Sequence, residues 1–138
     1  MENSLTPSTL NEKRALIFCE NDQQHNKTAS QLKSLGVTTK FSTSPLGAAA
    51  LLRRAEYLQQ PFDFLLIDSE QNYQAAINTG SALCLHLKSA PNVLLLANVI
   101  KGNIPNNLKR KGVKGILKNN FSNGSLKQFL GQTLTLSA

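Results

Sequence analysis

Short, unbroken apolar runs separated by stretches of helical periodicity limit this chain to very few folds. Ala15-Leu16-Ile17-Phe18-Cys19 is the first run, and it ends at Glu20-Asn21-Asp22. A run without polar alternation suits a strand buried on both faces, as in a parallel sheet. Ala29, Leu32 and Leu35 then share one face of a helix that Gly36 stops. Val37 to Ser42 alternates like a strand nearer an edge. Ser44-Pro45 opens a second helix with the stripe Ala48, Leu51, Leu52, Ala55 and Leu58, closed by Pro61. Phe62 to Asp68 reads as a central strand ending in an acid. Residues 69–79 begin polar and loop-like, and Gly80 to Ser89 reads as a short third helix carrying Leu83 and Leu87. Pro91 introduces the strand Val93 to Ala97. Asn103-Ile104-Pro105 reads as the cap and first turn of a helix ended by Gly112. Gly115 to Lys118 is a fifth strand, and Ser122 caps a last helix with Leu126, Phe129 and Leu130 facing in.

Strands alternating with helices imply right-handed crossovers and a parallel sheet covered on both faces. The expected fold is α/β, a flavodoxin-like doubly wound (βα)5 unit whose five-stranded parallel sheet has the order 2-1-3-4-5. In that order ligands bind outside the carboxyl ends of the strands, at the switch point between strands 1 and 3. The length of 138 residues suits one domain, read as 13–138, behind a polar tail or linker at 1–12. No apolar run approaches the roughly 20 residues of a membrane span. The polar start lacks the basic and apolar regions of a signal peptide, so the expected location is the cytoplasm, with no membrane contact by the domain itself. Cys19 and Cys84 read as reduced core thiols. His25 and His86 are isolated and suggest no zinc. The glycines of dinucleotide and P-loop motifs are missing.

Charge is unevenly spread. All 8 acidic residues lie between Glu2 and Glu70, and beyond Glu70 every charged side chain is basic. Lys101, Lys109, Arg110, Lys111, Lys114 and Lys118 cluster around the fourth helix and fifth strand. Such a face fits an acidic protein partner. Nucleic acid is the rival, through counterion release, but no aromatic interleaving or recognition motif accompanies the basic residues. The plainest alternative is a solvated basic helix face.

The chemistry should lie where the strands end. Glu20, Asn21 and Asp22 follow the first strand, Asp68 ends the third, Ala97-Asn98 the fourth, and Lys118-Asn119-Asn120 the fifth. Glu20 and Asp68 fall on adjacent strands, about 4.8 Å apart. Two carboxylates so close repel and call for a cation, a proton or a Lys. Magnesium suits them, because it takes one or two carboxylates and keeps several waters. The alternative is that both acids merely cap loops at the sheet rim.

From Arg14 to Leu134 the chain resembles a receiver domain of bacterial two-component signalling. Glu20 to Gly36 resembles the family's acidic turn, first helix and closing Leu-Gly. Asp63 to Asp68 (DFLLID) resembles its Asp-x-x-x-x-Asp strand, whose last residue accepts the phosphoryl group. Gly112 to Leu126 resembles the segment holding a strand, a Lys-Pro pair and the last helix. The resemblance implies two acids after strand 1 that hold Mg2+, an acceptor Asp, a hydroxyl after strand 4 and a Lys after strand 5. It also implies a histidine kinase or another phosphorelay protein as partner. Glu20, Asp68, the backbone of Glu70 and, if the turn slips by two, Asp22 are then the metal ligands; otherwise Asp22 caps the first helix.

The chain departs from that pattern. Cys19 falls in the first acidic slot, Ala97 in the hydroxyl slot, Asn119 in the Lys slot and Asn120 in the Pro slot, while Phe121 and Ser122 match the family's continuation. Lys118 stands one residue early, hence on the opposite face of its strand unless a bulge shifts it. The expected function is a degenerate receiver, or pseudo-receiver, acting by protein–protein interaction, for example inside a hybrid sensor histidine kinase, with phosphoacceptance at Asp68 weak or lost. A phospho-accepting receiver using Asp68 with Mg2+ is the alternative, and a basic module for nucleic acid the second. An independent enzyme is not read. Ser69 has no positioned His, Cys19 sits in an apolar strand, and Cys84 and His86 at i, i+2 do not face each other.

Overall fold

The structure is a computed structural model that describes residues 12–19, 22–70, 73–85, 87–97, 113–118 and 126–132. The elements are β1 (Arg14–Phe18), α1 (Asp22–Ser34), β2 (Thr38–Ser42), α2 (Pro45–Tyr57), β3 (Phe64–Glu70), α3 (Tyr73–Cys84), β4 (Asn92–Ala97) and β5 (Val113–Lys118). Residues 126–132 form a further helical segment. The strands make one sheet in the order β2-β1-β3-β4-β5, and every pairing is parallel. This is the doubly wound order expected from the alternation of periods.

Alternate residues of the central strands enter two separate cores, as a period of two requires. Leu16, Phe18, Leu65, Ile67, Val93 and Leu95 pack with Ala48, Leu52 and Ala55 of α2 and with Ala76 and Ile77 of α3. Ala15, Ile17, Phe64, Leu66, Leu94 and Leu96 pack with Leu32 of α1 and with Leu126 and Leu130. Both faces are therefore covered, which is why these strands read as unbroken apolar runs. Cys19 belongs to the second core and Cys84 borders the first. The sheet separates the two thiols, and neither is in a disulfide. Burial pushes the Cys84 thiol up from 9.0 to about 11, so it stays protonated at neutral pH.

The two helices before β3 end in the same motif. After α1, the Gly36 N–H donates to Lys33 O and the Val37 N–H to Leu32 O. After α2, the Gln59 N–H donates to Glu56 O and the Gln60 N–H to Ala55 O. This 5→2 and 6→1 pair defines a Schellman motif, whose C′ residue needs positive φ. Gly36 takes φ 88 and Gln59 takes φ 61. At its start α2 has Pro45 in the first turn and Ser44 as N-cap, whose Oγ accepts from the Gly47 N–H at 3.0 Å.

One residue ties the amino ends of three strands. The Asp63 carboxylate accepts from the Arg14 N–H at 2.9 Å, and its own N–H donates to Arg14 O at 2.8 Å. Its carbonyl accepts from the backbone N–H of Asn92 at 2.9 Å and from the Asn92 side chain at 3.2 Å. The Arg14 guanidinium lies 4.8 Å above the Phe62 ring and donates to Gln60 O.

Some expected boundaries are corrected. α3 starts at Tyr73 rather than Gly80 and ends at Cys84 rather than Ser89. Gln74, Asn78 and Thr79 mask a helical spacing in which Ala76, Ile77 and Gly80 are buried and Leu83 lies against the core. Leu87 packs against the same core from outside the helix. Leu58 does not join the buried stripe of α2; it is the C-cap and half exposed. β3 runs from Phe64 to Glu70 rather than Phe62 to Asp68, because Asp63 is used in the amino-end tie.

Candidate functional site at the carboxyl edge

A parallel sheet brings all its carboxyl ends to one edge, and the expected residues can be placed there by register. Phe18 pairs with Ile67 across β1 and β3. The next position on each strand is Cys19 and Asp68, on the same rung and the same face. The Cys19 Sγ donates to Asp68 Oδ2 at 3.5 Å. Cys19 is 1% exposed, held on its other side by its N–H to Ser42 O at 3.1 Å. Asp68 is half-buried. The side chain described beside the candidate acceptor is thus a neutral, buried thiol.

Across β4, Asp68 is level with Leu96, and Leu96 is level with Leu117 of β5. The register of β3 shifts between Asp68 and Glu70, after which Glu70 pairs with Ala97. Bulges of this kind recur beside functional sites, where they re-aim a side chain or end the pairing. β5 carries its own irregularity, since Val93 pairs with Val113 but Leu94 with Gly115, leaving Lys114 as the extra residue. From there Lys118 is level with Ala97, one step beyond the Asp68–Leu96–Leu117 line. A bulge is therefore present in β5, and the residue it puts in line with Asp68 is Leu117.

Asp22 opens α1. Lys114 is exposed at the outer edge of β5. Glu20, Asn98, Lys101, Lys109, Arg110, Lys111, Asn119 and Asn120 lie outside the described residues. The contact between Cys19 and Asp68 is what sequence reasoning missed. The available signal was the first acidic slot, beside the acceptor, that the family resemblance assigns to Cys19.

Receiver-type chemistry implies Mg2+, so the described donors can be tested against it. Mg2+ demands near-octahedral oxygen ligands at 2.0–2.1 Å. Sulfur ligands select softer ions. Beside the Asp68 carboxylate the buried Cys19 sulfur offers Mg2+ no oxygen, and Glu20 lies outside the described residues. Among the described residues no group of three or more His, Cys, Asp or Glu side chains could hold a metal.

The fold itself is shared with many solved structures. A response regulator from Thermotoga maritima matches with a TM-score of 0.74 at 13% identity, covering 90% of this chain and 98% of that one. The chemotaxis protein CheY4 of Vibrio cholerae matches with a TM-score of 0.72 at 17% identity, covering 88% and 98%. This chain carries the receiver fold. The N-terminal domain of a three-domain response regulator/sensory box/GGDEF protein from Carboxydothermus hydrogenoformans matches with a TM-score of 0.70 at 17% identity, covering 91% and 96%. No family model and no curated protein matches the chain. No helix among the described residues is long and apolar enough to cross a membrane.

Proposed function

We propose that this chain is a receiver-type module of a two-component phosphorelay in which phosphoacceptance at Asp68 is weakened and output is contact with a protein partner. The pairing of Cys19 with Asp68 carries this reading. Moving a phosphoryl group onto a carboxylate concentrates negative charge. A working site answers with a cation and a Lys aimed at that charge. Here the neighbouring strand offers a buried thiol on the same rung, Ala97 has no hydroxyl to report a phosphoryl group, and Lys118 stands one step past the line of Asp68. Losing one well-placed stabiliser costs about 10²–10³ in rate. An acidic protein surface suits the basic second half of the chain, with Lys101, Lys109, Arg110, Lys111, Lys114 and Lys118 as its contacts. A histidine kinase is the natural partner, and a place inside a hybrid sensor kinase suits such a module.

The test is intact-mass analysis after incubation with acetyl phosphate and Mg2+. The wild type should gain the phosphoryl mass at least about 100-fold more slowly than the Cys19→Asp/Asn119→Lys variant, since two stabilisers are restored. Rapid, near-stoichiometric labelling of the wild type, abolished in Asp68→Asn, would show a working phospho-acceptor and refute the weakened reading.

A further inference from the structure

We infer that Cys19 lowers the affinity of the Asp68 site for hard divalent cations, so that this residue sets how tightly the carboxyl edge holds Mg2+. The inference rests on the reading of Asp68 as the phosphoryl position. It goes further by naming what sets the site's cation affinity.

The observations converge on this rung of the sheet. Cys19 and Asp68 extend a paired run of adjacent parallel strands, Ala15 to Phe18 against Phe64 to Ile67, so their side chains leave the sheet on one face. The thiol spends its proton on Oδ2 at 3.5 Å. Cys19 is 1% exposed and sits in a core with Ile17, Leu66 and Leu96. It therefore cannot turn to solvent and leave that oxygen to an ion. A cation on the Cys19 side of Asp68 competes with the thiol proton for Oδ2 and meets sulfur, a poor ligand for Mg2+, where a second carboxylate would have offered oxygen.

The arrangement also has a benefit for the resting protein. Two carboxylates on one rung repel unless a cation lies between them. A thiol–carboxylate pair has no such repulsion and is joined by its hydrogen bond. The rung thus needs no ion to offset like charges, and the same contact competes with Mg2+ for Asp68. Replacing Cys19 by an acid reverses both properties: the edge is destabilised without Mg2+ and recovers with it, because an ion bound to the native state alone stabilises that state.

The experiment is a Mg2+ titration of wild type and Cys19→Asp without any phosphodonor, followed by amide NMR shifts and by thermal melting. The wild type should show no saturable shifts at Asp68 and no change in melting with millimolar Mg2+. Cys19→Asp should bind at least about tenfold more tightly, in line with losses seen on altering a metal's surroundings, and its melting should rise with Mg2+. Should the buried acid prevent folding, Cys19→Ser offers oxygen at nearly the same size and must also bind better than wild type. Equal Mg2+ affinity in all foldable variants, whether measurable or absent, overturns the inference. Since no phosphoryl group is involved, that result would leave the weakened phosphoacceptance reading standing, and rapid labelling of the wild type would sink the latter alone.

Discussion

Gly36 and Gln59 occupy equivalent positions at two helix ends, and only one of them is the residue that position favours. Both take positive φ and both complete Schellman motifs. A residue with a Cβ takes on about 1–2 kcal/mol of steric cost there, of which glycine's greater freedom in the unfolded chain returns part. Gln59→Gly should therefore stabilise the domain by about 0.5–1 kcal/mol, read as a rise in the urea midpoint at constant slope. A fall would mean that the Gln59 side chain makes contacts worth more than the strain. The stop at Gly36 was legible because glycine announces such a turn. The stop at Gln59 was hidden, and Pro61 took the credit for ending the helix. Asp68 was likewise legible as a strand-ending acid. Its neighbour Cys19 was not, because a partner 49 residues away depends on register, and local periodicity carries no register between strands.

The elements themselves were largely readable, since double-sided burial writes strands as apolar runs and the glycines and prolines mark the turns. What failed was the start of α3, where Gln74, Asn78 and Thr79 look loop-like although the helix buries Ala76 and Ile77. The irregularity of β5 was also beyond local reading, because a bulge exists only relative to its partner strand. After it comes Gly115, where an added Cβ would lie 2.8 Å from Phe129 Cε1. Phe129 packs against the core that holds Leu126 and Leu130. Gly115→Ala should thus overpack the contact between β5 and the 126–132 helix and cost about 1–3 kcal/mol. Urea unfolding would measure the loss. A companion Phe129→Leu change should relieve part of it, and equal loss in the presence and absence of that change would place the strain elsewhere.

At the level of the whole molecule, the two edges of the sheet are built differently. The amino edge is tied through Asp63 to β1, β3 and β4. The carboxyl edge carries the Cys19–Asp68 pair and the shift after Asp68. Asp63→Ala should cost about 1–3 kcal/mol, since the part-buried Arg14 N–H loses a charged acceptor. If β1 and β3 meet early, stopped-flow kinetics will show most of that loss as slower folding, not faster unfolding. The reverse partition would place their meeting after the rate-limiting step. This bears on how the site comes into being. Arg14 meets Asp63 and Cys19 meets Asp68 across the same separation of 49 residues, with α1, β2 and α2 strung between. One loop closure therefore makes both the tie and the site. Its entropy grows only slowly with loop length, but it must be spent before either contact repays it. On the ribosome the carboxyl edge cannot exist until β3 has emerged, so lengthening the segment between α1 and α2 would delay the site's assembly while leaving its finished geometry alone.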